Sequence, residues 1–176
     1  MTENFQKIIK NILSDIRVEM AEEFDQNFER QAFFSEAWQR RKSPIRNQNR
    51  AILTDTGALR SSIQSRTTDN SVIFYTTLPH AEIHNEGGEI IVTDKMKRFF
   101  WHKYNEANGG WKRKGNNPEA EFWKFLALKK AGSTIRIPRR RFLGAGQDVE
   151  KAVRNIIEEN ITQYVEQAID IEIRKL

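Results

Sequence analysis

Apolar residues recur at helical spacing near both ends of the chain. Between residues 4 and 33 the steps of three and four place them on one stripe of a helix; they are Phe5, Ile8, Ile9, Ile12, Leu13, Ile16, Met20, Phe24 and Phe28. From residue 148 to residue 175 the same spacing returns, at Val149, Val153, Ile156, Ile157, Ile161, Tyr164, Val165, Ala168, Ile169 and Ile173. We predict helices over 1–33 and 148–175. The first would be roughly 45 Å long, so we expect one of its ends to project or to pack on another subunit.

Short runs of β-branched and aromatic residues lie between these helices. Val72–Thr76 and Glu89–Thr93 suit a pleated surface, and Ser133–Ile137 alternates in polarity until Pro138 stops it. The Asp69-Asn70 pair favours a hairpin turn before the first run. Because the links are short, we predict mostly antiparallel pairing.

A polar corner that ends in glycines, Pro79–Gly88, separates the first two runs. Pro79 has no N–H to donate to a strand ladder, and Gly87-Gly88 permits the positive φ of a sharp return. We therefore expect both runs to belong to one sheet built around this corner. His80 and His84 would then be hydrogen-bonded at the corner.

Residues 94–131 predict a helical insertion. Thr93 or Asp94 can cap a short helix, residues 105–118 are rich in Gly, Asn and Lys, and Pro118 can begin a further aromatic helix. Together with the strands and the terminal helices, this order predicts an α+β fold. It consists of a small, mostly antiparallel sheet covered by long N- and C-terminal helices, plus a short aromatic helical insertion. We expect a single domain, 1–176, with its sheet core at 52–146.

Composition narrows the class of protein. The chain is 38% apolar, but eleven Phe and four Trp provide enough area for a core. A net charge of +5 permits an acidic partner without requiring one. There is no cysteine for a disulfide, a thiolate nucleophile or a metal site. The N-terminus has no signal-peptide pattern and no run approaches the ~20 apolar residues of a membrane span, so we expect a cytosolic protein or one carried in a larger particle.

Few residues point to catalysis. His80 and His84 are four apart, but Glu82 stands where neither form of the zinc-protease motif would put it. His84-Asn85 with His102 would suit an HNH-like nuclease, although the flanking metal-binding pattern is missing. Paired carboxylates fall within helical patterns, where they form solvated faces. We expect no catalytic residue, no metal site and no cofactor.

Basic residues gather in three places. The densest cluster comprises Arg136, Arg139, Arg140 and Arg141, followed by Phe142. A second lies in the predicted exposed loop, at Trp111, Lys112, Arg113 and Lys114, and a third, more dispersed one lies between residues 40 and 50. The first two have the Arg-plus-aromatic composition of an interface, and we predict partner contacts there. A solvated corner explains the first cluster equally well, and phosphate contacts would make the chain a nucleic-acid-binding module.

Three motifs carry a resemblance to a known family. They are Thr56-Gly57-x-Leu59-x-x-Ser62-Ile63, then Ala81-x-Ile83-His84-Asn85-x-Gly87-Gly88, then Ile135-x-Ile137-Pro138-x-Arg140-x-Phe142-Leu143-Gly144. In this order they span about residues 52–146. The chain thereby resembles the phage virion morphogenesis family, the tail-completion or neck-type proteins of tailed phages and prophages.

The resemblance implies a structural role without catalysis. Such a protein would act in tail completion or head–tail joining through contacts with other tail or neck proteins. It would form a homo-oligomeric ring with heterologous interfaces, in the host bacterial cytoplasm during assembly and then in the virion. The motif residues would shape the fold; they are Thr56, Gly57, Leu59, Ile83, His84, Asn85, Gly87, Gly88, Pro138 and Gly144. A basic nucleic-acid-binding module or an HNH-like nuclease stays open as the alternative.

Overall fold

A computed structural model describes residues 2–41, 51–109 and 117–173 of the chain. The elements, in chain order, are α1 (Thr2–Arg30), β1 (Ala32–Phe33), β2 (Glu36–Ala37), α2 (Ala58–Ser61), β3 (Gln64–Thr67), β4 (Val72–Tyr75), α3 (Ala81–Glu86), β5 (Gly88–Ile91), α4 (Asp94–Ala107), α5 (Pro118–Ala127), β6 (Thr134–Ile137) and α6 (Gln147–Ile173). The predicted α+β class and the two long terminal helices are confirmed. None of the helices in these ranges combines the length and the apolar composition of a membrane span.

The two terminal helices pack against each other in opposite directions. Ser35, just after α1, bonds Asp148 at the start of α6, with 2.8 Å between Oγ and Oδ2. Further along, Asn160 Nδ2 donates to Asp15 Oδ2 at 2.9 Å. The apolar stripe of α1 closes a core cluster between them, which comprises Met20, Phe24 and Phe33 with Val149, Ala152 and Val153 from α6. Burying these side chains favours the folded state by about 2 kcal/mol each.

Within the described residues the strands form three two-stranded sheets instead of the single sheet predicted, and their predicted antiparallel pairing is confirmed. The predicted hairpin turn is confirmed, because β3 and β4 pair across it with Thr67 opposite Val72. The Pro79–Gly88 corner is a helix, α3, instead of a strand corner. It carries the chain away from β4, and β5 pairs with β6, with Gly88 opposite Ile137. Pairing with a strand some 45 residues away could not be read from local pattern.

The insertion builds a core of its own on the β5–β6 ribbon. Thr93 Oγ1 accepts from Met96 N at 3.2 Å and caps α4, as its sequence predicts. Asn117 caps α5 ahead of Pro118. The two helices enclose a cluster of Phe100, Leu126 and Ala127 with Met96, Phe122, Trp123 and Ile135 around it. The chain enters and leaves through the ribbon, where Val92 N donates to Ser133 O at 2.8 Å.

Gly87 lets α3 end against the third motif. Its φ of 73° and ψ of 178° form a combination that only glycine adopts readily. A Cβ at this position would lie 2.8 Å from Arg139 N, inside the contact distance of the backbone. The glycine is therefore required by both the conformation and the close approach of the 139–140 backbone.

We predict that Gly87→Ala destabilises the protein more than Gly132→Ala does. Gly132 also has a positive φ of 83°, but a Cβ there would meet nothing within 4 Å. The control should cost about 1 kcal/mol from backbone strain, whereas Gly87→Ala should cost roughly 3 kcal/mol because the Arg139 backbone must move. Urea unfolding followed by circular dichroism measures both. Equal losses would show that the contact with Arg139 is unimportant.

Candidate functional site

The three motifs meet in one buried cluster. Leu59 of the first motif, Ala81 of the second and Phe142 of the third are each at most 5% exposed and pack together. Phe28 of α1 lies at their centre, with its ring centroid 5.4 Å from that of Phe142 and 5.7 Å from that of Trp38. Segments far apart in sequence therefore converge on one face of α1, and this convergence positions the basic segment that follows β6.

Asn85 holds the third motif to the second. Its Oδ1 accepts from Phe142 N and Leu143 N, each at 3.0 Å, and its Nδ2 donates to Leu143 O at 2.9 Å. The side-chain amide thus satisfies three backbone groups of an irregular segment, as a paired strand would. Asn85 therefore has a structural role within the motif. These bonds occupy its amide, which the HNH-like nuclease interpretation would assign to catalysis.

Two residues that the sequence did not single out hold the same segment from the other side. Asn27 is fully buried, donates from Nδ2 to Phe142 O at 3.2 Å and accepts from Phe34 N at 2.9 Å. Trp38 Nε1 donates to Arg141 O at 2.6 Å. The sequence did contain a signal for Asn27. It is a polar residue on the apolar stripe of α1, beside Phe24 and Phe28, and a buried amide is expected to form hydrogen bonds.

Several motif glycines and their neighbours determine the local backbone conformation. Gly57 adopts φ 71° just before α2, where Thr56 Oγ1 accepts from Ala58 N at 3.3 Å. Gly144 has φ 135°, and a Cβ there would lie 2.9 Å from the Arg141 guanidinium. Ile83 lies 3.5 Å from the position that a Gly88 Cβ would take. These contacts are local, and the fold-shaping role of the motif residues stays a prediction.

The basic residues at the end of β6 and after it do not form one continuous patch. Arg136 and Arg139 are exposed, and Arg139 lies 3.7 Å from Glu86. Arg141 covers the Phe33 ring at 4.4 Å and donates to Ala145 O. Phe142 is 1% exposed, so its predicted place at a contact surface is corrected: it belongs to the core. Trp111, Lys112, Arg113 and Lys114 lie outside the described residues.

Arg140 is buried at the bottom of an arginine-lined groove. The groove has a volume of about 520 Å³, and its walls are Gln39, Arg40, Arg41, Phe122, Arg136, Ile137, Pro138 and Arg140. Arg140 Nε donates to Gln39 O at 3.1 Å, and burial followed by the charge of Arg41 lowers the pKa of its guanidinium. No carboxylate is among these lining residues. The arrangement suits an incoming carboxylate or phosphate, since arginine binds both bidentately.

His84 Nδ1 does not have the hydrogen bond that we expected. His80 and His84 stand at the start and within α3, with ring centroids 6.1 Å apart, and His84 Nδ1 is buried without a hydrogen-bond partner. Burial, and then the charges of His80 and Arg140, lower the pKa of His84. Within residues 2–41, 51–109 and 117–173, no three His, Asp or Glu side chains form a metal-binding group.

We predict that Asn85→Ala lowers the free energy of unfolding by about 3 kcal/mol. The change leaves two backbone N–H groups and one carbonyl without their partner, and each buried unsatisfied group costs about 1–3 kcal/mol. Asn105→Ala, on an exposed face of α4, is the control and should change stability by less than about 0.5 kcal/mol. Equal urea midpoints for both variants would contradict the clamp.

We also predict that His84 makes stability fall with acidification. Because the folded protein holds the pKa of His84 below its ordinary value of 6.5, the unfolded chain takes up the proton first. Stability is therefore full above pH 6.5 and declines as the pH falls below it. His84→Gln should flatten this decline, whereas His102→Gln, at an exposed site, should leave it unchanged. Identical slopes for wild type and His84→Gln would refute the assignment.

The model of the phage virion morphogenesis family matches residues 3–162, which include nearly all of α1, the first part of α6, all three motifs and the insertion. No curated protein and no solved structure matches the chain. Since the match extends over far more than half of the sequence, the chain belongs to the phage virion morphogenesis family.

Proposed function

We propose that this protein acts in tail completion or head–tail joining, through contacts with other tail or neck proteins and with copies of itself in a ring. Family membership gives a structural or assembly role in the phage virion. The more specific role is supported by surfaces that the described chain leaves uncovered. In this reading the protein contributes shape and charge to a joint, and no bond is made or broken.

The arginine-lined groove is the observation that carries this proposal. Burying a guanidinium without a counter-charge costs several kcal/mol, and Arg140 is only 9% exposed. A neighbour that supplies a carboxylate would offset that cost and gain charge-assisted hydrogen bonds. A partner that fills the groove would therefore explain why a guanidinium is buried there.

Exposed apolar side chains support the same conclusion. Phe125 and Leu128 are 62% and 65% exposed on the insertion, and Ile91 is 61% exposed at the end of β5. Apolar side chains that are this exposed provide area that a partner could bury. The insertion is also basic, with ten Lys or Arg and four Asp or Glu over 94–131. It thus has the composition to meet an acidic, partly apolar partner.

A nucleic-acid-binding module is the second candidate, and the four arginines of the groove are the observation that favours it. Contacts to several phosphates would make binding fall steeply with salt. Gel-shift titration of duplex and single-stranded DNA at low and physiological salt decides between the two. Absence of binding at low salt eliminates this candidate.

We predict that silencing the gene in a phage-producing cell leaves filled heads and tails unjoined. Electron microscopy of the lysate, with complementation by the wild-type gene as control, measures this outcome. Joined particles in normal numbers, or heads that fail to fill, would contradict a role in joining.

We predict further that Arg136→Glu lowers the titre of infectious particles by tenfold or more, about the effect of losing 1.4 kcal/mol at one interface. Arg136 is exposed on the groove, so the variant should fold normally. Arg66→Glu, a charge reversal at an exposed site on β3, is the control and should keep its titre. Equal titres for the two variants would remove the groove from the assembly surface.

A further inference from the structure

The described part of α6 beyond Asn160 lies at the surface, where every residue from 161 to 170 is exposed. Four of them are large and apolar, with 40–54% of their surface accessible, at spacings of three, one and four: Ile161, Tyr164, Val165 and Ile169. We call residues 158–169 the arm.

The apolar stripe of the arm does not continue the stripe that packs on α1. At 3.6 residues per turn, its mean direction is rotated by roughly a third of a turn from that of Val149, Val153 and Ile156. A closer approach of α1 would therefore leave the arm's stripe uncovered.

The arm is also acidic. Residues 158–169 contain three Glu and no Lys or Arg. The base of the arm adjoins further carboxylates of α1, and burial, followed by the charges of Glu159, Asp15 and Glu22, raises the pKa of Glu19. The monomer thus has unbalanced negative charge here, which a positive surface would neutralise.

The groove complements the arm in both respects. Its walls combine four arginines with the apolar side chains of Phe122, Ile137 and Pro138. Its volume of about 520 Å³ falls in the range of pockets that enclose whole ligand groups. The arm has acidic side chains beside its apolar residues, and the groove has arginines beside its apolar residues. The two surfaces are therefore complementary in charge and in apolar area.

We propose that the arm of one copy seats in the groove of the next copy. In the same structure the arm is exposed and the groove is open, so the arm does not fill the groove of its own chain. Two different surfaces of one chain meeting in this way make a heterologous contact, which propagates head to tail and closes when the rotation allows. The inference rests on the proposed assembly role and specifies the interface through which copies of the chain would join.

The absence of cysteine makes a clean cross-linking test available. Val165→Cys on the arm and Gln39→Cys on the groove would be purified separately, mixed at high concentration and oxidised. We expect a disulfide-linked heterodimer that forms at least tenfold faster than the one made by Glu150→Cys with Gln39→Cys. Glu150 is an exposed position on the same helix, outside the arm.

Charge reversal distinguishes this contact from a general effect on folding. Arg136→Glu in the groove protein, or Glu166→Lys in the arm protein, should slow cross-linking by tenfold or more. Combining both reversals should restore it, since the charges again oppose each other. Circular dichroism verifies that each variant is folded. Single reversals that leave the rate unchanged would overturn the proposal.

A second measurement tests the same contact in cells, where copies of the protein can assemble on the end of a tail. A benzoyl-phenylalanine photo-cross-linker at Tyr164, used in phage-producing cells, should give a product whose peptides map to segments 39–41 or 136–140 of a second copy. Cross-linking in either setting supports the proposal. No product in both, or an arm joined to a different protein, overturns it. A joining defect with no arm–groove product would refute this interface and leave the proposed function intact.

Discussion

The structure depends on how the backbone of residues 141–143 is held. This segment has no strand partner, yet it lies against the buried face of α1, where unsatisfied amides would be costly. Asn85, Asn27 and Trp38 bond it from three elements. Fixing this segment positions Phe142 in the core and turns Arg140 into the groove. A core contact and a surface feature therefore have one common origin.

The sequence predicted the structural features that depend on interactions between neighbouring residues. Apolar periodicity predicted both terminal helices, the Asp69-Asn70 pair predicted the β3–β4 turn, and Thr93 and Pro118 marked helix starts, because each signal depends on a few neighbouring residues. The single sheet was wrong because β5 has a partner only after the chain has passed through the insertion. Pairing of that kind is decided by tertiary context.

The candidate site could be predicted only in part. Composition indicated an arginine-rich contact segment, but not that its members would have different environments. Arg140 is buried, Arg141 packs on an aromatic ring and Arg136 remains exposed. The difference arises from the backbone path set by Asn85, which sequence spacing does not show. The arm was predicted as part of a helix, and its exposure in the described part of the chain became visible only with the packing of α1 and α6.

The β5–β6 ribbon has a consequence for how such a protein can evolve. Its ladder joins the two ends of the insertion and bears the entropic cost of closing that excursion. The insertion also has its own apolar cluster, separate from the cluster beneath the motifs. Lengthening or exchanging it therefore need not disturb the rest of the molecule. A change in the sequence or length of the insertion can thus be accommodated while the cluster beneath the motifs is kept.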